Sequence, residues 1–468
     1  MTAFGKRAQV NTDSPAPAIA ATAPVPTAAP IPAPRPADPS PPLLANDSSY
    51  GIKTGIFAAL IETIDLAELS KMDAESTRST LHDIISEIIA VKGYILGPDE
   101  QEAISAEILN DILGLGPLEP LLARDDIADI MVNGCDQVYI EVDGLIQLTP
   151  VKFRDNAQLM NICQRIVASV GRRVDEASPI CDARLADGSR VNVIVHPLSL
   201  KGPTLTIRKF KKDKLTLDQM VQRGGLSPEA ASLLRILSAA RCNILISGGT
   251  GSGKTTLLNC LTQFFSPGER IVTCEDAAEL QLQQPHVVSL ETRPPNLEGK
   301  GEIAMRDLVR NCLRMRPDRI VVGEVRGAEA FDLLQAMNTG HDGSMGTLHA
   351  NTPTEALGRL ENMIAMGNLP LSPGAVRKQI ADALNIVVQT QRLRDGSRRI
   401  THVTEILSYE DDRIQSVDLM TFLYTGDSPD GRIQGHHAFL APPRDCMENI
   451  RAYGLERECM ALFTRGDG

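Results

Sequence analysis

The stretch NILISGGTGSGKTT, which spans residues 243–256, decides the fold of this 468-residue chain. Its second part fits the pattern G-x-x-x-x-G-K-[ST], and its first part is an apolar run typical of a buried strand. A glycine-rich loop after such a strand turns its N–H groups around phosphates, and the next helix points its positive end at the same charge. A chance match among 36 glycines is the alternative, and the flanking strand and helix argue against it. We therefore predict a site for a nucleoside triphosphate.

The loop and the first helical turn supply the predicted binding residues. Lys254 would reach the outer phosphates, and the hydroxyl of Thr255 would hold Mg²⁺. The predicted nucleotide-binding residues are Gly249, Thr250, Gly251, Ser252, Gly253, Lys254, Thr255 and Thr256.

Composition and charge argue against several classes of protein. The formal net charge is -12, aromatic residues make up 3% of the chain and Trp is absent, which disfavours a nucleic-acid surface of basic stripes and stacking rings. The nine cysteines form no C-x-x-C pair, so neither a zinc ribbon nor a redox motif is indicated. No run approaches the roughly 18 apolar residues of a membrane span, and scattered cysteines are typical of a reducing cytosol. We expect a cytoplasmic chain that neither spans a membrane nor binds nucleic acid.

Changes in composition and periodicity predict the domain organisation. The first 48 residues are rich in Ala and Pro and are predicted to be disordered, either as a tether for a partner or as a solubilising extension. Helical spacing then predicts a bundle of three helices, followed by an α+β domain. The sequence after about residue 428 shows no interpretable pattern. The predicted boundaries are 1–48 for the tail, 51–115 for the bundle, 116–211 for the α+β domain, 212–224 for a linker, 225–440 for a P-loop domain with C-terminal helices, and 441–468 for a C-terminal extension.

Strands and helices alternate in the P-loop domain, which predicts an α/β fold with a mainly parallel sheet covered by helices. Apolar runs around the turn Asp395-Gly396 add a predicted hairpin. The predicted strands are 243–247, 270–274, 319–323 and 343–348, and the predicted hairpin strands are 385–389 and 401–406.

A carboxylate follows the predicted strand 319–323. Glu324 is the candidate for orienting a water molecule at the γ-phosphate. P-loop enzymes often have Asp at the preceding position, where this chain has Gly323, so metal binding must rely on Thr255 and other acids. The alternative for Glu324 is a surface carboxylate at a strand end.

Two further acids and one histidine follow other predicted strands. Because parallel strands end at one edge of a sheet, Glu275 would lie near the loop as a ligand for metal or water. Glu279 is either a second such acid or an acid in the first turn of a helix. His349 can donate to a phosphate oxygen and so report the γ-phosphate, although an isolated histidine is more often structural.

The order of four motifs resembles a known superfamily. SGGTGSGKTT, CEDAAEL, RPDRIVVGEVRG and GHDGSMGTLHANTP are similar to the Walker A, Asp box, Walker B and His box of the secretion ATPases. Upstream, GLGPLEPLL, IADIMVNG, DARLADGSRVNV and TIRKF resemble the CpaF-type branch, the motor of tight-adherence (Flp) pili. The resemblance covers about residues 55–425.

This resemblance implies a RecA-like ATPase domain, with ATP and Mg²⁺ as cofactors, in a hexamer of two-lobed subunits. It implies Asp-box roles for Glu275 and Glu279, the Walker B role for Glu324 and the γ-phosphate sensor role for His349. Thr255 and Glu275 would hold the metal. Arginines of the preceding domain close on the γ-phosphate in this family, and the matching positions are Arg190 and Arg208, for which exposed salt bridges are the alternative.

The implied function is a motor on the cytoplasmic face of the inner membrane. It would use ATP-driven interdomain rotation to assemble a pilus through a membrane platform, with retraction left open. A type IV secretion ATPase for protein or DNA and a nucleotide-gated scaffold remain alternatives. The chain lacks the tetracysteine insertion typical of type II secretion and type IVa pilus extension ATPases, and the predicted N-terminal bundle favours the CpaF branch over the conjugative one.

Overall fold

The computed structural model describes residues 47–63, 73–142, 144–210, 215–295 and 299–464. Apart from its last two residues, the predicted tail lies outside these ranges, and so does the start of the predicted linker. The chain divides into two compact units, Met1–Ile108 and Leu109–Gly468. The α+β part and the P-loop part both belong to the second unit, and the finer boundaries drawn from the sequence stay predictions.

Helices make up the described part of the first unit. They are α1 (Asp47–Thr63), α2 (Ala74–Lys92) and α3 (Pro98–Leu113), whose end continues into the second unit. The side chain of Asp73 accepts two backbone hydrogen bonds at the start of α2, and Gly93 ends that helix with φ 65°. Most of the apolar residues that recur at helical spacing on α2 and α3 are buried, while Ile84 and Ile112 are half-buried. The buried residues include Leu81, Ile85, Ile88 and Ile89 on α2, and Ile104 and Ile108 on α3.

The second unit begins with an antiparallel sheet and one covering helix. A 3₁₀ turn (Gly116–Leu118) and α4 (Glu119–Ala123) lead into it, and α5 (Asn156–Ser169) buries Leu159 and Ile162 in its core. The strands are β1 (Ile127–Asn133), β2 (Val138–Val142), β3 (Leu145–Leu148), β4 (Ile180–Arg184), β5 (Arg190–Ile194) and β6 (Thr204–Arg208). Their spatial order is β3-β2-β1-β6-β5-β4.

The P-loop part contains a nine-stranded sheet. Its strands are β7 (Ile244–Gly248), β8 (Ile271–Glu275), β9 (Val287–Glu291), β10 (Arg319–Val322), β11 (Met345–Leu348), β12 (Ile386–Arg392), β13 (Arg398–Glu410), β14 (Arg413–Asp427) and β15 (Ile433–Phe439). The order is β15-β14-β13-β12-β7-β11-β10-β8-β9. The run from β12 to β9 is parallel, and β12 to β15 pair antiparallel. The predicted α/β fold and the hairpin are therefore confirmed.

Helices cover both faces of this sheet and enclose one buried cluster on each side. They are α6 (Leu217–Gln222), α7 (Pro228–Ala239), α8 (Lys254–Thr262), α9 (Met305–Cys312), α10 (Glu329–Asn338), α11 (Pro353–Met366), α12 (Pro373–Ala383), α13 (Cys446–Ala452) and α14 (Glu456–Thr464). The last two lie where the sequence shows no interpretable pattern. They bury Cys446, Ile450, Cys459 and Leu462 in the same cluster as α7 and α8.

A buried ion pair lies at the amino end of β10. Arg319 is 1% exposed, and its Nε donates to Glu269 Oε2 over 2.8 Å. We expect Glu269→Gln to lower the free energy of unfolding by about 3–5 kcal/mol, because it leaves a buried guanidinium without its counter-charge. Denaturant unfolding without nucleotide measures this. The exposed pair of Arg235 and Glu458 provides the control, since Glu458→Gln should cost less than about 1 kcal/mol. Equal losses in the two variants would contradict the prediction.

Candidate nucleotide-binding site

The predicted loop lies between β7 and α8, as the sequence motif requires. Gly251 and Gly253 have φ values of 69° and 96°, which favour glycine. A Cβ at Gly248 would lie 2.5 Å from Ser252 Oγ, so only hydrogen fits there, whereas a Cβ at Gly249 would meet no atom within 4 Å. The loop therefore has a tightly packed base and an open front, the shape that lets a phosphate approach the backbone.

Polar side chains hold the loop in this shape. Ser252 Oγ donates to Gly249 O over 2.9 Å and lies 2.8 Å from Thr390 Oγ1 of β12. Thr390 Oγ1 in turn donates to Ser247 O. Of the other predicted loop residues, Thr250 is exposed and lies in the turn, while Thr255 and Thr256 are half-buried in the first turn of α8.

Lys254 lies at the start of α8 and is 8% exposed. Its Nζ donates to Gly249 O over 3.1 Å and lies 3.4 Å from Nδ1 and 3.3 Å from Nε2 of His349. Burial lowers the pKa of Lys254, and the charge of Glu324 opposes that shift. The ammonium group therefore lies against the loop backbone, and an anion bound in the loop would supply its counter-charge.

His349 connects Lys254 to the predicted catalytic acid. Its Nε2 lies 2.8 Å from Glu324 Oε1. Burial, and then the charge of Lys254, lower the pKa of His349. A neutral ring facing a carboxylate donates through Nε2, which fixes the tautomer. The structure thus brings together the residues expected from Walker A, Walker B and the His box.

Arg326, which the sequence analysis missed, holds the other oxygen of the acid. Its Nη2 donates to Glu324 Oε2 over 2.6 Å, and its Nη1 donates to Asp276 Oδ2 over 3.1 Å. The pair with Glu324 raises the pKa of Arg326. The sequence feature that could have indicated Arg326 is its position two residues after Glu324, on a loop at the same sheet edge. Both oxygens of Glu324 are therefore engaged in this state.

Glu275 ends β8 and is almost fully buried. Its Oε1 accepts from the backbone N–H groups of Glu279 and Leu280 over 2.9 and 3.0 Å. Its Oε2 is buried without a hydrogen-bond partner in the described part of the chain. Burial raises the pKa of Glu275 to about 7. A buried oxygen without a donor suits a bound cation or water, so Glu275 fits its predicted place as a ligand.

The packing of Glu275 also explains the glycine before Glu324. A Cβ at Gly323 would lie 2.9 Å from Glu275 Cγ. The space into which an Asp at 323 would project is therefore filled by the side chain of the neighbouring strand.

Three arginines form a row across the antiparallel sheet. Arg184 of β4 is paired in register with Arg190 of β5, which is paired with Arg208 of β6. The Arg190 Nη1 donates to Glu279 Oε1 over 2.7 Å, so this predicted arginine reaches the Asp-box loop. It joins the α+β layer to the P-loop part.

The other two arginines of the row behave differently from the prediction. The structure does not bring Arg208 to the predicted acids, because its Nε donates to Asp129 on the neighbouring strand β1 over 3.3 Å. Arg184, which the sequence analysis missed, donates through Nη1 to Glu291 Oε2 over 2.7 Å and through Nη2 to the carbonyl of Ala278. No local sequence pattern indicates this role, because the place of Arg184 in the row depends on strand register.

Comparisons with known proteins find several similar chains. The chain is 39% identical over 329 residues to a putative conjugal transfer protein of Mycobacterium tuberculosis, which covers 69% of this chain and 93% of that protein. It is 33% identical over 333 residues to the type IV secretion system protein PtlH of Bordetella pertussis, with 64% and 94% covered. Among solved structures, the VirB11 ATPase of the Brucella suis type IV secretion system, in complex with sulphate, is 27% identical. That alignment covers 61% of this chain and 94% of the other, with a TM-score of 0.34.

A family model also matches the chain. The model of the type II/IV secretion system proteins matches residues 111–420, more than half of the chain, and this range contains the P-loop, the acids and the arginine row. The family implies ATP binding and hydrolysis. Within the described ranges, no helix has the length and apolarity to cross a membrane. From this match we conclude that the chain belongs to the type II/IV secretion system protein family and has its RecA-like ATPase fold.

Proposed function

We propose that this chain is an ATP-driven motor that assembles a tight-adherence (Flp) type pilus through an inner-membrane platform. The observation that carries the proposal is the contact between the α+β layer and the acid-bearing edge of the P-loop sheet. Arg190 reaches Glu279 there, and Arg184 reaches Glu291. We infer that the phosphates of a bound nucleotide compete with Glu279 for Arg190, so that a change at these phosphates moves one layer against the other.

The site residues divide the chemistry among them. Backbone N–H groups of the loop and the ammonium of Lys254 would hold the phosphates of ATP, and Glu324 would orient the attacking water. His349 can exchange its hydrogen bond to Glu324 for one to a phosphate oxygen, which would free that carboxylate oxygen for the water. Thr255 and Glu275 would hold Mg²⁺, whose charge neutralises phosphate oxygens.

Coupling to movement would depend on a change of partner by Arg190. Its guanidinium would leave Glu279 for the γ-phosphate, which carries more charge, and would return when that phosphate is released. The α+β layer, which carries the arginine, would follow it. We also propose that six copies of the chain form a homo-hexamer on the cytoplasmic face of the inner membrane. The movement of the α+β layers in this hexamer would act on the membrane platform.

The two arginines named from the sequence should differ in importance. We expect Arg190→Ala to lower kcat for ATP about ten- to a hundredfold, the usual worth of a hydrogen bond to a charged group. Arg208→Ala should lower it by less than about threefold, because the ion pair to Asp129 is exposed and of low energy. Phosphate release at saturating ATP measures both. Equal losses would assign both arginines to the phosphate, and an unchanged kcat in Arg190→Ala would contradict the coupling mechanism.

A motor for type IV secretion of protein or DNA is the second candidate. The names of two relatives, a conjugal transfer protein and a type IV secretion system protein, favour it. The pilus assignment is supported by helices α1 and α2, which precede the family match at residue 111 and resemble in position the N-terminal bundle of the CpaF branch.

Trapping the motor on its membrane partner separates these candidates. A tagged Glu324→Gln chain, held on ATP in its native cells, is cross-linked and its partners are identified by mass spectrometry. Tagged Lys254→Ala, which should not hold ATP, is the control for contacts that do not depend on nucleotide. We expect enrichment of pilus platform proteins and a small pilin. Enrichment of a secretion channel and coupling proteins instead would overturn the pilus assignment.

A further inference from the structure

The turn between β12 and β13 lies beside the P-loop. β12 is paired with β7 as far as Thr390 and Gly248, so its last residues run past the loop. Arg392 ends β12, and its register partner Arg398 begins β13. Both arginines are exposed. Two guanidinium groups therefore lie at the mouth of a loop whose expected ligand carries three phosphates.

Arg398 contacts the loop backbone directly. Its Nε donates to the carbonyl of Gly251 over 2.9 Å, and its Cδ lies 3.7 Å from the place that a Cβ at Gly253 would take. The Nη1 of Arg392 lies 3.7 Å from the corresponding place at Gly251. Among the described residues, the two terminal nitrogens of Arg398 find no acceptor, so they stay available to a ligand.

The contact at Gly251 orients a loop N–H group. A trans peptide places its C=O and its N–H on opposite sides. Pulling the Gly251 carbonyl towards Arg398 therefore turns the N–H of Ser252 away from Arg398 and into the loop. That N–H makes only a long hydrogen bond, 3.4 Å, to Gly249 O. It is thus held in place yet weakly engaged, as a phosphate-binding N–H must be.

We propose that Arg398 is a positioning residue that holds the P-loop in its phosphate-binding shape, and that Arg392 and Arg398 add positive charge at the mouth of the nucleotide site. The inference rests on the proposed ATP site and assigns it a residue outside the four sequence motifs. Arg398 acts through the Gly251 peptide, so its loss should weaken binding more than it slows the chemical step.

Substitutions in the hairpin test this role. We expect Arg398→Met to raise the Kd and KM for ATP by about tenfold, since a hydrogen bond from a charged donor is lost, with kcat changed by less than about threefold. Arg398→Lys should recover part of the affinity, because it keeps the charge without the planar fork. Arg394→Met is the matched control. Arg394 lies in the same turn but pairs with Asp427 and Tyr424, and its loss should leave Kd unchanged.

Binding is measured with a fluorescent ATP analogue and turnover by phosphate release, and thermal unfolding without nucleotide shows that the variants fold. If Arg398→Met binds ATP as tightly as Arg394→Met, the inference is wrong while the nucleotide site stands. A fall in kcat with unchanged KM would also overturn it, because that pattern belongs to a group acting on the transition state. If the unaltered protein binds no ATP, the nucleotide site itself fails.

Discussion

Replacing Glu324 with Gln is expected to lower the rate of ATP hydrolysis by about two to four orders of magnitude, the usual contribution of a positioned general base. Gln fits the same space, and its single amide oxygen can still accept from one of the two donors, His349 or Arg326. Neither the loop nor Lys254 is altered, so both should bind ATP nearly as before. The amide, however, cannot accept a proton from the attacking water. Single-turnover hydrolysis, measured beside the Kd for ATP, separates the two effects.

Asp276→Asn is the matched control for this variant. Asp276 is the other partner of Arg326, so its substitution also disturbs that arginine but leaves the carboxylate of Glu324 in place. We expect its hydrolysis rate to stay within about tenfold of the unaltered protein, in line with the energy of an exposed ion pair. Near-normal turnover by Glu324→Gln would contradict the motor proposal. It would favour the nucleotide-gated scaffold, because such a scaffold works without hydrolysis.

Lys254→Ala should abolish measurable ATP binding at micromolar concentrations and lower kcat/KM by about a hundred- to a thousandfold, as for the loss of one preorganised donor at a developing charge. The residue is buried against the loop and lies next to His349, so its loss removes the ammonium group that contacts the loop backbone. Isothermal titration calorimetry with ATP and Mg²⁺ measures the loss. It should persist in Lys254→Arg, whose planar fork does not match a slot shaped for a compact ammonium.

A surface lysine provides the comparison for that experiment. Lys378 pairs with Asp382 one helical turn away and is well exposed, so Lys378→Ala should bind ATP normally. Unchanged ATP affinity in Lys254→Ala would mean that the loop does not hold a nucleotide. It would remove the basis of every other assignment at the site.

The parts of the site that local sequence patterns encode could be predicted from the sequence. Loop, strand and helix are contiguous around Lys254, and Glu275, Glu324 and His349 each end or follow a buried parallel strand. Because parallel strands end at the same edge of a sheet, these residues could be expected to lie close together. The structure bears out that juxtaposition, while the catalytic roles remain for the variants to test.

What the sequence could not give depends on contacts between distant segments. The pairing of Arg326 with Asp276 joins two strand ends, and the roles of Arg184 and Arg208 depend on strand register, which no local pattern specifies. Arg208 has the right type and spacing, yet Asp129 on the adjacent strand holds it. Likewise, the sequence alone does not explain why Gly323 stands where generic P-loop enzymes have Asp. The structure explains it, because the side chain of Glu275 fills the space beside Gly323.

The burial of the last described helices bears on how the protein is made. The cluster that supports the P-loop face of the sheet joins Leu217 to Leu462, so residues of α13 and α14 complete the packing around α7 and α8. During synthesis the chain emerges from its N-terminal end, and contacts between such distant residues form only once both are available. The packing of this cluster is therefore complete only when residues near 462 have left the ribosome. Until then the nascent chain exposes the part of the apolar face that α13 and α14 later cover.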